Sequence, residues 1–325
     1  MNEKNTKNIL VTGGAGFIGY HLSKKLLELN YNIIVIDNLN KYYDQKLKKD
    51  RLNILKEYNN FKFYKTDITD YNELEKIIKK NKIDLIYHLA AQAGVRYSFE
   101  NPEVYLTTNI EGTYNILKLM VKYKIYNLIF SSTSSIYGNS DKKFLTETDD
   151  TNHPVSLYAS TKKACEGLIH YYHHQYNIKS IILRYFTVYG PYGRPDMALF
   201  KFTKNILEDK PIDVYNQGQH QRGFTYINDI VEGSFKALEL FKQDRLFEII
   251  NLGNNQTNEL EYFIELIEKE LNKKAEKNYL PLQPGDVIKT AAGISKAKEL
   301  LNWQPFTSLE QGISNFTKWY KEYYL

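Results

Sequence analysis

Tyr158 and Lys162 stand four residues apart at the head of a run, Leu157-Tyr158-Ala159-Ser160-Thr161-Lys162, that reads as helical. Residues i and i+4 of a helix share one face, so the phenol and the ammonium enter one pocket. An ammonium favours the ionised form of a neighbouring acid, and the spacing therefore predicts a phenol that loses its proton readily. A phenolate near neutral pH accepts a proton from a substrate hydroxyl. The chain holds 28 tyrosines and is rich in lysine, so the pair takes its meaning from its surroundings. Nearby in sequence, Ser131-Ser132-Thr133-Ser134-Ser135 follows the apolar run Leu128-Ile129-Phe130. Thr133 is placed to hydrogen-bond the same hydroxyl that Tyr158 deprotonates.

A second chemical stretch opens the chain. Asn8-Ile9-Leu10-Val11-Thr12 is a short apolar run of the kind that forms a buried parallel strand. Gly13-Gly14-Ala15-Gly16-Phe17-Ile18-Gly19 follows, then a helical pattern of leucines, then Ile33-Ile34-Val35-Ile36 closed by Asp37. Strand, glycine turn, helix and strand make a βαβ unit. Gly13 allows the tight turn, Gly16 the approach of a pyrophosphate, and Gly19 close packing of the helix on the strand. The helix amino end offers free N–H groups to phosphates. Asp37 accepts from the ribose hydroxyls and repels a 2′-phosphate, which favours NAD over NADP. The spacing is G-x-x-G-x-x-G, a variant typical of short-chain dehydrogenase/reductase relatives.

The elements that position these groups alternate. Strands are predicted at Phe61–Lys65, Ile83–Ala91, Leu128–Ser132 and Ser180–Arg184, with a helical run opening at Asn109. Asp67 and Ile68 are candidates to meet an adenine ring, and Ala90 to let a nicotinamide ribose pass. His88 reads as a satisfied strand histidine. The alternation predicts an α/β fold: a Rossmann-type doubly wound parallel sheet, with ligands at the carboxyl ends of its strands. After about Tyr189 the pattern becomes mixed helices and short strands. The expected division is residues 1–188 as the dinucleotide domain, with a returning segment near 222–250, and 189–325 as a smaller α/β substrate domain.

Composition narrows the class. The 325 residues are 42% hydrophobic with a net charge of +5, and the lysines are scattered over helical faces, which argues against a nucleic-acid partner. One cysteine, Cys165, excludes an internal disulfide framework. No signal peptide and no long apolar run is visible, so a cytoplasmic chain with no membrane association is expected. His170, His173 and His174 lack a completing ligand, and no metal site is expected.

The strings TGGAGFIG, HLAAQAGVRYS, NIEGTYNIL, FSSTSSIYG, YASTK and RYFTVYGPYGRPDMA resemble the extended short-chain dehydrogenase/reductases of the nucleotide-sugar epimerase and dehydratase group. Within it, IDNLNKYYD, QAGVRYS, GPYGRPDMA and LQPGDVIKT are most similar to UDP-glucuronate 4-epimerases. The resemblance covers about residues 7 to 320. It implies bound NAD, with Gly13, Gly16, Phe17, Ile18, Gly19, Asp37, Asn38, Asp67, Ile68, Ala90 and Lys162 around it. It implies Tyr158, Lys162 and Thr133 as catalytic residues, C4 being oxidised to a ketone and reduced on its other face. Ser134, Ser135 and Thr187, with Thr133, would pin the uronate carboxylate. Arg96, Arg194, Arg222 and Asp286 would meet the UDP moiety. The related 4,6-dehydratases carry an acid pair at the positions of Ser134 and Ser135, and the related decarboxylase a glutamate at that of Ser135, so both activities are disfavoured. The group usually has an acid where Gly223 stands, and often one near Ala292-Gly293.

Relatives pair through the helix at Asn109–Met120 and the one after Lys162, so a homodimer is expected, with Tyr171 and Tyr172 exposed for it. Polysaccharide supply is the role the resemblance implies. Two other readings stay open: a 4-epimerase of UDP-glucose or its N-acetylated forms, and a non-catalytic NAD-binding sensor.

Overall fold

The computed structural model describes residues 7–282 and 289–325. In chain order it begins β1 (Asn8–Thr12), α1 (Phe17–Glu28), β2 (Asn32–Asp37), α2 (Gln45–Leu55), β3 (Phe61–Lys65), α3 (Tyr71–Asn81) and β4 (Leu85–His88). Two short helices follow, α4 (Tyr97–Glu100) and α5 (Glu103–Tyr105). A π turn (Leu106–Glu111) then runs into α6 (Gly112–Tyr123). Next come β5 (Asn127–Thr133), α7 (Leu157–Tyr176), β6 (Lys179–Tyr185) and β7 (Thr187–Tyr189).

Seven strands form one parallel sheet in the order β3-β2-β1-β4-β5-β6-β11, where β11 is Phe247–Leu252. The reversal of strand order falls at β1, so the crevice for a ligand opens where the glycine turn leaves that strand. Ile9, Leu10 and Val11 are wholly buried because helices cover both faces of the sheet. Side chains alternate along β1: Ile9 and Val11 join one core with Leu22, Leu26 and Val35, while Leu10 joins the other with Ile34, Ile116 and Phe130.

The remainder is built from short elements: α8 (Ala198–Leu207), β8 (Ile212–Tyr215), β9 (Gln221–Arg222), β10 (Phe224–Tyr226) and α9 (Ile227–Lys236) precede β11. After it come β12 (Asn258–Glu259), α10 (Leu260–Leu271), β13 (Lys277–Leu280), β14 (Lys289–Thr290), α11 (Ser295–Leu301) and α12 (Leu309–Tyr324). Strand β10 pairs in parallel with β7, β9 in parallel with β14 and antiparallel with β12, and β13 in parallel with β8. The chain thus leaves the large sheet after β6 and comes back to it as β11, while α9 packs on α1.

Three expectations need correction. The fourth strand stops at His88, and Leu89 to Ala91 have left it to pass the glycine turn. Asn109 sits inside the π turn, not at a helix start. Tyr171 is 52% exposed, but Tyr172 is buried in the second core cluster, its ring tilted against Tyr176. No helix among the described residues is long and apolar enough to cross a membrane.

Candidate active site

The glycine turn is enforced by backbone contacts. Gly13 has φ +70°, and a Cβ there would meet Ala90 N at 2.7 Å. A Cβ on Gly19 would stand 2.3 Å from Gly13 O, and one on Gly16 2.9 Å from the same oxygen. None of these neighbours is a flexible side chain, so only glycine keeps this path. The N-cap of α1 is Gly16, with no capping side chain and no acid in the first turn. Its leading N–H groups, at Phe17 and Ile18, are therefore unanswered by the chain's own side chains, which suits a diphosphate.

Asp37 closes β2 beside this turn. Its carboxylate accepts from Ala15 N at 3.1 Å and Leu39 N at 2.8 Å. Burial pushes its pKa above the usual carboxylate range, against the Leu39 N–H, Lys48, the Ala15 N–H and Arg51. It therefore braces the turn as well as facing the crevice. Asn38 Nδ2 donates to Asp67 Oδ2 at 2.7 Å, and Thr69 donates to the other oxygen through both its N–H and its hydroxyl. Ile68 packs on Gly112 of α6. Ala90 N donates to Thr12 Oγ1 at 3.1 Å. These residues lie at the carboxyl ends of β1 to β4, one rim of the sheet. A cradle of glycines, an unanswered helix N-terminus and an acid beyond β2 match the chemistry of a dinucleotide.

The neighbouring rim carries the candidates for proton transfer. Ser156 caps α7 by accepting from Ala159 N at 3.2 Å, which fixes the helix start two residues before Tyr158. The Thr133 hydroxyl at the end of β5 acts on the Tyr158 phenol, and the Tyr105 ring meets that phenol edge-on with centroids 6.2 Å apart. Thr133 Oγ1 also accepts from Ser135 N at 3.1 Å and donates to Ser135 Oγ at 3.2 Å, drawing Ser134 and Ser135 into a 3₁₀ turn beside the phenol. Arg194, on the loop after β7, grips Asp196 with both arms: Nε reaches Oδ1 at 3.0 Å and Nη2 reaches Oδ2 at 2.5 Å. Tyr42 donates to the same carboxylate at 3.2 Å.

The electrostatics differ from the expectation. Burial pushes the Tyr158 phenol above its ordinary value, and the Thr133 hydrogen bond and the Arg194 cation work against it. Lys162 lies buried one turn further along α7. Its ammonium lies 4.1 Å from the centre of the Phe130 ring, on strand β5. Burial lowers its pKa to about 8, opposed by Cys165 and Glu166.

Behind the rim a buried polar chain supports β5 and α7. Ser132 donates to Glu166 Oε1 at 2.6 Å, and Arg184 Nε and Nη2 reach the Glu166 oxygens at 3.0 and 2.8 Å. Arg184 Nη1 donates to the Tyr137 hydroxyl at 2.9 Å, which donates on to Asn251 at 2.7 Å. His88 lies buried between Thr12 and Thr113, at 2.7 and 3.0 Å, and burial holds it neutral with its pKa lowered to about 3. Thr12 Oγ1 also accepts from Ala90 N, so His88 ties the end of β1 and the loop after β4 to α6. Asn109 joins the loop after β4 to α7, bonding Gln92 N at 2.8 Å, Gln92 O at 3.1 Å and Thr161 Oγ1 at 3.0 Å.

The remaining candidates are spread more widely. Thr187 starts β7 and lines a cavity with Phe17, Arg194 and Phe224. The Arg96 guanidinium stacks 4.6 Å from the Tyr215 ring centre. Arg222 lies half-buried on β9, opposite Asn258 of β12. Asp286 lies outside the described residues. Gly223 explains its own departure from the group: a Cβ there would meet Asn254 O at 2.5 Å, leaving no room for an acid. At Gly293 a Cβ would meet Thr146 Cγ2 at 2.7 Å. Tyr42, Arg51, Glu166 and Asp196 belong to the site and were not singled out from sequence. The only signals were local, Glu166 four residues after Lys162 and Asp196 two after Arg194.

Residues 9–253 match the model of the NAD dependent epimerase/dehydratase family. The chain belongs to that family, within the extended short-chain dehydrogenase/reductases that act on nucleotide sugars. It is 46% identical over 314 residues to the UDP-glucuronate 4-epimerase of Thermodesulfobacterium geofontis, covering 96% of each chain. The Bacillus cereus UDP-glucuronic acid 4-epimerase, crystallised with UDP-glucuronic acid and NAD, superposes with a TM-score of 0.92. It is 39% identical, and the match covers 98% of this chain and 100% of that one. The Thermotoga maritima UDP-glucose 4-epimerase, solved with UDP-glucose, has a TM-score of 0.88 at 34% identity, covering 97% and 99%.

Proposed function

We propose that the chain is an NAD-dependent epimerase that interconverts UDP-glucuronate and UDP-galacturonate at C4. One observation carries the chemistry: Tyr158 at the head of α7 and Thr133 at the end of β5 act on each other at the rim next to the glycine turn, with Ser135 bonded to Thr133 and the Arg194 charge favouring the phenolate. Tyr158 holds and returns the proton of the C4 hydroxyl, and Thr133 orients that hydroxyl. Bound NAD supplies the redox chemistry, taking and returning a hydride at C4. Gly13, Gly16, Phe17, Ile18 and Gly19 would hold its diphosphate, Asp37 its ribose, Asn38, Asp67 and Ile68 its adenine side, and Ala90 and Lys162 its nicotinamide ribose. In this reading residues 1–188 with the segment near 222–250 serve the dinucleotide, and 189–325 serve the UDP-sugar.

Uronate is preferred to neutral glucose on two grounds. The relatives named for UDP-glucuronate are the more similar. The hydroxyls of Thr133, Ser134, Ser135 and Thr187 also suit a carboxylate and hold it out of line with the ketone, where it keeps its CO2. Ser134 and Ser135 stand where elimination or decarboxylation would need acids. We further propose that the enzyme works in the cytoplasm as a homodimer through α6 and α7, where Tyr114 and Tyr171 are exposed, and that it supplies a polysaccharide precursor.

Purified protein incubated with UDP-glucuronate, UDP-glucose and UDP-N-acetylglucosamine separately, with products resolved by chromatography, tests the assignment. UDP-galacturonate from the first is the expected product. Turnover of the neutral sugars alone would overturn the uronate reading. Tyr158→Phe should lose about 10²–10⁴-fold in kcat while keeping NAD; equal activity would refute the proton relay and favour a non-catalytic NAD-binding protein.

A further inference from the structure

Arg51, on α2, is wholly buried and has no carboxylate within salt-bridge distance among the described residues. Its two terminal nitrogens are answered by carbonyls and one hydroxyl from three separate segments, while its buried Nε has no hydrogen-bond partner among the described residues. Nη1 donates to Ala15 O in the glycine turn at 2.8 Å and to the Tyr43 hydroxyl at 2.8 Å. Nη2 donates to Tyr192 O at 2.6 Å and Gly193 O at 3.4 Å, in the loop that carries Arg194. A buried cation without a counter-ion is unfavourable unless fixed dipoles surround it. Here those dipoles come from the dinucleotide turn on one side and the Arg194 loop on the other.

The same two segments meet in two other places. His21, on α1, donates from Nε2 to Pro191 O at 2.9 Å. Phe17, which opens α1, and Gly193 line one cavity with Arg194. The Ala15 peptide is held from both ends, its N–H by Asp37 and its carbonyl by Arg51. Any movement of the turn on filling therefore reaches the carbonyls of Tyr192 and Gly193 through a single rigid fork. Arg194, the next residue, is a group that acts on Tyr158.

We propose that Arg51 is a positioning residue that couples the filling of the glycine turn by the dinucleotide to the shape of the loop carrying Arg194, so that each nucleotide prepares the site of the other. The inference rests on the reading of that loop as part of the UDP-sugar site. Coupling of this kind is reciprocal. It would favour a cofactor that stays bound through many turnovers and a sugar nucleotide admitted only to a loaded enzyme.

Calorimetric titration with UDP tests it. UDP lacks the sugar that faces the nicotinamide, so direct contact between the ligands contributes nothing. The dissociation constant is measured on NAD-loaded and NAD-stripped protein. In the parent chain loading should tighten UDP about tenfold. In Arg51→Met that ratio should fall to about one. Arg51→Lys, which reaches one segment but not both, should behave like Arg51→Met and keeps the test alive if the methionine variant does not fold. Tyr43→Phe, which leaves both backbone ties intact, should retain the parent ratio. A parent-like ratio in a folded Arg51 variant, or a ratio of one in the parent, overturns the coupling while leaving the UDP-sugar reading intact. Failure of the parent protein to bind UDP in either state removes both.

Discussion

The Arg194 guanidinium, held two-handed by Asp196, is the cation that acts on the Tyr158 phenol, although the two residues are 36 positions apart in the chain. Burial raises the phenol pKa, and Thr133 and Arg194 lower it. Among the groups that act on or touch Tyr158 are the Thr133 hydroxyl, the Tyr105 ring and the Arg194 cation. Removing that cation disfavours the phenolate. In Arg194→Gln the ascending limb of kcat against pH, taken at saturating UDP-glucuronate, should move to higher pH. An unmoved limb would mean that Arg194 only binds substrate.

Lys162 pays a burial cost that its role demands. Its pKa of about 8 in the folded chain lies below its ordinary 10.5. Between those values the unfolded chain binds more protons, so stability rises with pH there. The cost is full below about pH 8 and gone above about 10.5. Lys162→Met should therefore be more stable at pH 7, by at most roughly 3 kcal/mol, with the gain vanishing in alkaline buffer. Activity should be lost. Thermal unfolding of nucleotide-free protein across pH reads this, and a variant less stable at pH 7 would contradict it.

Gly19→Ala forces a methyl to 2.3 Å from Gly13 O and the adjoining backbone. Neither neighbour can yield without opening the turn. NAD affinity should fall at least about tenfold, which corresponds to about 1.4 kcal/mol, and fluorescence titration with NADH would measure it. Wild-type affinity would show that the helix can slide on β1.

The Glu166–Arg184 pair is 4% and 2% exposed. Removing one partner strands a buried charge, so Glu166→Gln should cost about 3–5 kcal/mol. The double replacement Glu166→Leu/Arg184→Met should cost less than the two single changes added together. Denaturant unfolding of the four proteins gives the coupling, and strict additivity would show that the pair does not act as a unit.

What could be read in advance was whatever is local. The glycine turn, β1, β2 and Asp37 are contiguous, and a strand buried on both faces announces itself as an apolar run. The cap at Ser156 and the start of α7 follow from near neighbours. What escaped was set by tertiary contact. The Lys162 ammonium meets the Phe130 ring of β5, a neighbour that its own helix does not disclose. Tyr172 sinks into the core while Tyr171 does not, because the apolar face of α7 is narrower than its run of aromatics suggests. Arg51 carries no local signal of burial, and only the convergence of Ala15, Tyr192 and Gly193 makes it interior. The lack of an acid at 223 is equally non-local, imposed by the Asn254 carbonyl across the fold.

The late return of the chain to its first sheet has a consequence for synthesis. Strand β6 gains its outer neighbour only from Phe247–Leu252, and α1 is covered by α9. A nascent polypeptide that has reached Tyr189 still exposes a bare parallel edge and an oily helix flank. At about 5–20 residues per second, translation leaves that surface open for several seconds before β11 arrives. Ribosome-associated chaperones would find their client in this window, and a nonsense truncation anywhere before Phe247 should yield an aggregate and not a smaller nucleotide-binding protein.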